Sequence, residues 1–152
     1  MHPVLAKLNY KAQPEIAVIN APDEFLAVVD TVRLLATIVT DPQQIQLGTF
    51  VIAFVKNQAE LDTVSHALAQ RTKGDSILWI AYPKGSSRKY TCDFNRDTGW
   101  AILGELGFEG VRMVAIDEDW SALRFRRVEY IKKMTRQSNR AMTESGKQKT
   151  AK

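Results

Sequence analysis

Residues 48–55, GTFVIAFV, are almost uniformly apolar and carry no charge. A strand with one wet face alternates apolar and polar residues, whereas a strand covered on both faces reads as a continuous apolar run. The run is far short of the ~18 apolar residues that a membrane span needs. It is read here as a central strand, and a central strand of this kind demands helices on both sides of its sheet. The next segment, NQAELDTVSHALAQRTKGD, supplies one. Asn57 suits the cap and Glu60 suits the reciprocal position of a capping box. Leu61, Val64 and Leu68 recur at spacings of three and four, and Gly74 stands where the chain must leave the helix.

The flanking segments extend the alternation. EIAVINAP reads as a buried strand ended by Asn20 and Pro22, after a short helical turn over residues 2–8. APDEFLAVVDTV reads as a helix, with Pro22 at its first position and Asp23 and Glu24 at the positive end of its dipole. VRLLATIVT is β-branched and short, so it is expected to be a strand closed by Asp41 and Pro42. SILWIAYP is a further strand. NRDTGWAILGELGF is predicted to be a helix capped by Asn95 and ended by Gly107, with Trp100, Leu103 and Leu106 as its apolar stripe. VRMVAID and SALRFRRV, joined by DEDW, are expected to pair antiparallel, and VEYIKKMTRQ suits a short amphipathic helix. The order β-α-β-β-α-β-α-β-β predicts an α/β fold: three layers, with a mostly parallel sheet of about six strands and a C-terminal antiparallel strand. Residues 1–137 are read as a single domain. Residues 138–152 are polar without apolar period and are expected to be a disordered basic tail.

Composition narrows the function classes. A lone cysteine, Cys92, cannot form an internal disulfide. One Cys and two His, His2 and His66, are too few soft ligands for a structural zinc site. Carboxylate-bound Mg²⁺ or Ca²⁺ stays open, although no run resembles a calcium loop. No signal peptide is read in MHPVLAKLNYKAQPE, and a soluble cytoplasmic protein without membrane contact is the expectation. The net charge of +4 is uneven: residues 124–152 hold ten Lys/Arg and two Glu, a net of +8, which leaves −4 for residues 1–123. A solvated tail is the ordinary reading of such a run. The alternative is salt-dependent binding of nucleic acid or an acidic partner, with Tyr130 and Phe125 offering little for base stacking.

The strand–helix series from GTFVIAFV to SALRFRR resembles the second half of a class I S-adenosylmethionine-dependent methyltransferase, in which the last strand slots in antiparallel beside its neighbour. LWIAYPKGSS, DFNRDTGW and AIDEDWSALRFR resemble more closely a family of uncharacterised bacterial proteins, over roughly residues 8–128. The resemblance implies a Rossmann-like fold and no particular reaction. In methyltransferases the first strand ends in a glycine-rich loop that lets the cofactor approach the backbone. Here it ends VINAPDEF, without glycine, and Pro22 removes an N–H donor. Asp41, after the second strand, stands where an acidic residue would accept a ribose hydroxyl.

Ligands of open parallel sheets sit beyond the carboxyl ends of the strands. The expected site therefore gathers Asn20, Asp41, the residues after Val55, and the loop after SILWIAYP. In that loop Lys84, Arg88 and Lys89 supply charge, and Gly85, Ser86 and Ser87 supply donors for a small anionic ligand. The pattern is not that of a nucleotide P-loop, and a solvated connection is the plain alternative. Asp93, Asn95, Arg96 and Asp97 read either as a ligand-positioning set or as caps and local ion pairs. Asp117, Glu118 and Asp119 read as a cation site or a turn. Cys92 reads as an ordinary thiol, or as one activated by Lys89. Trp79, Trp100 and Trp120 are assigned to packing and His66 to the surface. The sequence names no cofactor, catalytic constellation or oligomeric state. The reading is a non-catalytic protein of this fold binding a small anionic or nucleotide-like ligand. An enzyme of methyltransferase type and a basic-tailed nucleic-acid-binding protein are the alternatives.

Overall fold

The computed structural model describes residues 1–95 and 97–131. Its six strands are β1 (Glu15–Ile19), β2 (Thr37–Val39), β3 (Phe50–Phe54), β4 (Ile77–Pro83), β5 (Phe108–Ala115) and β6 (Trp120–Arg127). They form one sheet in the order β2-β1-β3-β4-β6-β5. The pairs β1–β2, β1–β3 and β3–β4 are parallel, while β6 runs against both β4 and β5. Among the described residues the α-helices are α1 (Pro3–Lys7), α2 (Asp23–Asp30), α3 (Gln58–Arg71) and α4 (Ala101–Glu105). Among the described residues no helix is long and apolar enough to cross a membrane.

The continuous apolar strands explain the layering. Ile16 and Val18 point into a core with Leu5 of α1, Leu8 just after it, and Phe25, Val28 and Val29 of α2. Ala17 and Ile19 point the other way, toward Leu61, Val64 and Leu68 of α3 and Leu103 of α4. Every residue of β3 and β4 is buried. Helices thus cover both faces, as the apolar run of residues 48–55 requires.

Local signals held where they agreed with packing. The Asn57 side chain accepts the Glu60 N–H (2.8 Å), and the Glu60 carboxylate reaches back to the Lys56 N–H (2.7 Å), one residue beyond an ordinary capping box. Three expectations need correction. Pro22 is the cap of α2 and not its first residue, since the Phe25 N–H already bonds its carbonyl. The strand expected over VRLLATIVT shrinks to Thr37–Val39: the Leu35 and Ala36 N–H groups bond the Val32 carbonyl, which prolongs α2 in turns. The helix expected from Asn95 begins only after Trp100. Gly99 has φ of 91°, outside the helical region, and a Cβ there would lie 2.7 Å from that of Phe94. VEYIKKMTRQ yields one 3₁₀ turn over Val128–Tyr130, and its remainder lies outside the described residues.

Gly48 offers a direct test of the β2–β3 connection. Its φ is 62°, and a Cβ would meet the Arg71 carbonyl oxygen at 2.6 Å. Gly48→Ala combines a left-handed backbone with a collision against main chain. It is expected to cost about 2 kcal/mol, read as a lower urea midpoint at unchanged m-value.

Candidate functional site

The strand order reverses beside β1: its chain successor β2 lies on one side and β3 on the other. The carboxyl ends of β1 and β3 therefore border the crevice where open α/β sheets bind ligands. β1 delivers Asn20 there with φ of 57°, a left-handed conformation that asparagine tolerates better than other residues with a side chain. Asn20 faces two cavities. One, of 540 Å³, is also lined by Thr40, Asp41, Glu60 and Thr63. The other, of 470 Å³, is bounded by Asp23, Lys56, Glu60, Tyr90 and Trp120. Together they hold three carboxylates, Asp23, Asp41 and Glu60, against the single ammonium of Lys56.

Lys84, Gly85, Ser86 and Ser87, with Asp93 and Asn95, line a different groove of 720 Å³. Lys89 lines a fourth hollow with Lys56 and Asn57. Several of the expected donors in this loop are engaged internally. The Ser87 N–H bonds the Lys84 carbonyl (3.0 Å), and the Lys84 N–H bonds that of Asp119 (2.8 Å). The Ser87 hydroxyl donates to Asp119 (2.8 Å) and accepts the Tyr90 N–H (3.0 Å). The Asp93 carboxylate accepts the Gln58 N–H at 2.7 Å, so it already serves as the anion at the start of α3. Asn95 accepts the Asp97 N–H (2.8 Å) and closes a turn. Arg96 lies outside the described residues. Asp41 accepts the Gln43 N–H at 2.9 Å and caps a 3₁₀ turn.

Sequence reading gave Glu24 only the start of a helix. Its carboxylate in fact ties the site together. It accepts the Tyr90 hydroxyl (2.9 Å) and the Trp120 indole N–H (3.3 Å), and it pairs with the Lys89 ammonium (3.4 Å). Burial pushes its pKa up, but the helix-start N–H, Tyr90, Lys89 and Trp120 outweigh that and hold it below the ordinary carboxylate value. Tyr90 packs on Trp120 at 4.9 Å, and Trp120 meets Phe54 edge-on at 5.1 Å. The loop is thereby strapped across the end of β3. The acidic first turn of α2 was the one local hint; its partners lie 66 and 96 residues away.

Other candidates resolve locally. Asp117 accepts the N–H groups of Asp119 and Trp120, both at 2.8 Å, so DEDW is a hydrogen-bonded turn. No cluster of metal-ligating side chains occurs among the described residues. Cys92 is a half-buried free thiol. Burial raises its pKa, the opposite of activation by Lys89. Trp79 and Trp100 are packing residues with satisfied indoles, and His66 is exposed.

No protein-family model matches the sequence, and no curated protein matches it. Solved structures do match. A SAM-dependent methyltransferase from Aquifex aeolicus aligns over 80% of this chain and 86% of its own, at 13% identity and a TM-score of 0.51. The pyocyanin biosynthetic protein PhzM aligns over 83% of this chain at 11% identity and a TM-score of 0.52. PigF, solved with SAH, aligns over 82% at 8% identity and a TM-score of 0.52. This chain has the fold of a class I methyltransferase. It spans 53% of the length of PhzM and 60% of PigF. At such identities the likeness is one of architecture, and the antiparallel β6 beside β4 is its topological mark.

Proposed function

We propose that this methyltransferase-fold domain binds an uncharged or cationic nucleoside of the adenosyl type at the β1 crevice. The carrying observation is that Asn20, in a left-handed turn, and Asp41, at the end of β2, face one 540 Å³ cavity. The residues fit the nucleoside half of such a ligand: Asp41 is an acceptor for ribose hydroxyls, and Asn20 lets the backbone turn where a glycine would otherwise be needed. They do not fit a phosphate. The crevice is net acidic, and Pro22 withholds an N–H at the start of α2. A bound S-adenosyl group would supply an electrophilic methyl. The chain's own contribution is binding and orientation, with Tyr90 and Trp120 forming an aromatic wall of the neighbouring cavity. The similar structures support the same ligand class: the Aquifex protein is a SAM-dependent methyltransferase, and PigF was solved with SAH.

Thermal unfolding tests the proposal. Ligand at about 100 times its Kd stabilises the folded state by about 2.7 kcal/mol, a Tm rise of roughly 5–10 °C for a chain of this size. S-adenosylmethionine, S-adenosylhomocysteine or adenosine is expected to raise Tm. Asp41→Ala is expected to abolish the rise and, because it also removes the cap on Gln43, to lower the free protein's Tm by a few degrees. Stabilisation by phosphate or pyrophosphate alone would instead select the small anionic ligand at residues 84–89. No shift with any of these probes removes the proposal.

A further inference from the structure

The β5–β6 hairpin carries a row of arginines that the crevice does not use. Along β6, Arg124 and Arg126 alternate with Phe125, so both lie on the face of Trp120 and Ala122. Their Cα atoms are two residues apart, on the order of 6.6 Å along the strand. On β5, Arg112 stands directly opposite Arg124 in the register. Like charges placed directly opposite across a pair of strands destabilise it. Arg126 is compensated by a two-pronged bond to Asp75, at 2.7 and 2.6 Å. Glu109, opposite Arg126, is buried and has interactions of its own. Among the described residues no ion pair reaches Arg112 or Arg124. The Arg124 Nε is a buried donor with no hydrogen-bond partner. Burial, then Arg126, disfavours its charge, Asp75 partly restores it, and Arg112 works against it. A buried Nε donor without a partner, beside an exposed guanidinium that has no ion pair among the described residues, leaves two facing cations for an anion to join.

We infer that this face of the β5–β6 hairpin binds the phosphodiester backbone of nucleic acid, with Arg112 and Arg124 as paired contacts. Arg112 and Arg124 oppose each other across the strands and Arg126 follows Arg124 along β6, so the cations form an extended row, which suits a polymer of regularly spaced phosphates better than one compact anion. The sequence continues the same charge: residues 132–152 add seven Lys/Arg against one Glu. The aromatic residues of this face, Trp79 and Trp120, are buried, so the contact has no stacking platform and is independent of base sequence. This surface is distinct from the β1 crevice, and its failure leaves the nucleoside reading standing.

Fluorescence anisotropy with a short labelled DNA duplex and the full chain tests it. Binding is expected at about 50 mM salt, weakening steeply as salt rises. Arg112→Ala/Arg124→Ala should weaken it about tenfold and lower the salt slope by about two. Arg112→Gln alters only an exposed side chain and covers the case in which the double variant fails to fold. It should lower the slope by about one. The Tm of the free protein should not fall in Arg112→Gln, because a like-charge opposition is relieved; a residue serving only the fold would show the reverse. Absence of binding at low salt overturns the inference. So does wild-type affinity and slope in both variants, which would assign binding to the tail alone. Binding of pyrophosphate without any binding of duplex overturns it as well.

Discussion

Trp79→Ala should remove about 4 kcal/mol of folding stability. Trp79 lies in β4, is 0% exposed, and stands between Ile52 of β3 and Arg124 of β6 in the register. Truncation removes the largest buried side-chain type and leaves a void in a close-packed layer that cannot fully collapse. It also orphans a carbonyl. The indole N–H donates to the Leu8 carbonyl at 2.8 Å, and Leu8 is the C-terminal cap of α1, a helix of five residues. So short a helix is unstable by itself and depends on docking. Trp79→Phe keeps most of the bulk and breaks only this bond, so it should cost about 1–2 kcal/mol. Chemical denaturation measures both. A loss below about 1 kcal/mol for the alanine variant would mean that α1 is not seated on this strand.

Glu15→Leu should cost about 3 kcal/mol. Glu15 opens β1, only 3% exposed, and its carboxylate accepts three successive N–H groups: Gln46 (2.9 Å), Leu47 (3.0 Å) and Gly48 (2.9 Å). The connection into β3 is wrapped around this anion. A leucine would fill the volume but leave three donors facing hydrocarbon, each carrying its desolvation penalty. The same geometry fixes the pH dependence. Burial raises the pKa of Glu15, but the N–H groups of Gly48, Gln46 and Leu47 outweigh it, and the folded value lies below the ordinary one. A carboxylate depressed in the folded state contributes its stability above its unfolded pKa, about 4.3. That contribution is lost as pH falls through the folded value. The wild type should therefore lose stability steeply below about pH 4.3, and Glu15→Gln, which cannot ionise, should show a flatter acid limb. An identical limb in the variant would mean that the three N–H groups do not hold a carboxylate.

Part of this architecture was legible in the residues. The unbroken apolar runs of β3 and β4 announced strands covered on both faces, and Asn57 with Glu60 announced the start of α3. Those features are written within a few positions of one another. The shortened β2 was not legible, because β-branched composition suggested a strand where turn hydrogen bonds to Val32 prolong α2. The shortened α4 goes with Gly99, whose φ of 91° is not helical and whose neighbours Phe94 and Gln58 leave no room for a Cβ. For the crevice, the topological rule pointed to Asn20 and Asp41, and the chain order alone sufficed to place both at strand ends. It could not divide the loop residues from them into separate cavities. Nor could it find Glu24, whose three donors arrive from Lys89, Tyr90 and Trp120. The Arg112–Arg124 opposition was equally hidden, since the bulge between Gly110 and Arg112 sets which residues meet.

That bulge and the brevity of β2 bear on how the molecule behaves in a crowded solution. β2 offers a stray chain only three residues of open rim, and the opposite rim, along β5, is bent out of register at Gly110–Arg112. An incoming strand needs several consecutive flat positions to template itself. The brevity of β2 and the bulge in β5 leave an incoming strand few such positions, which disfavours fibrous accretion.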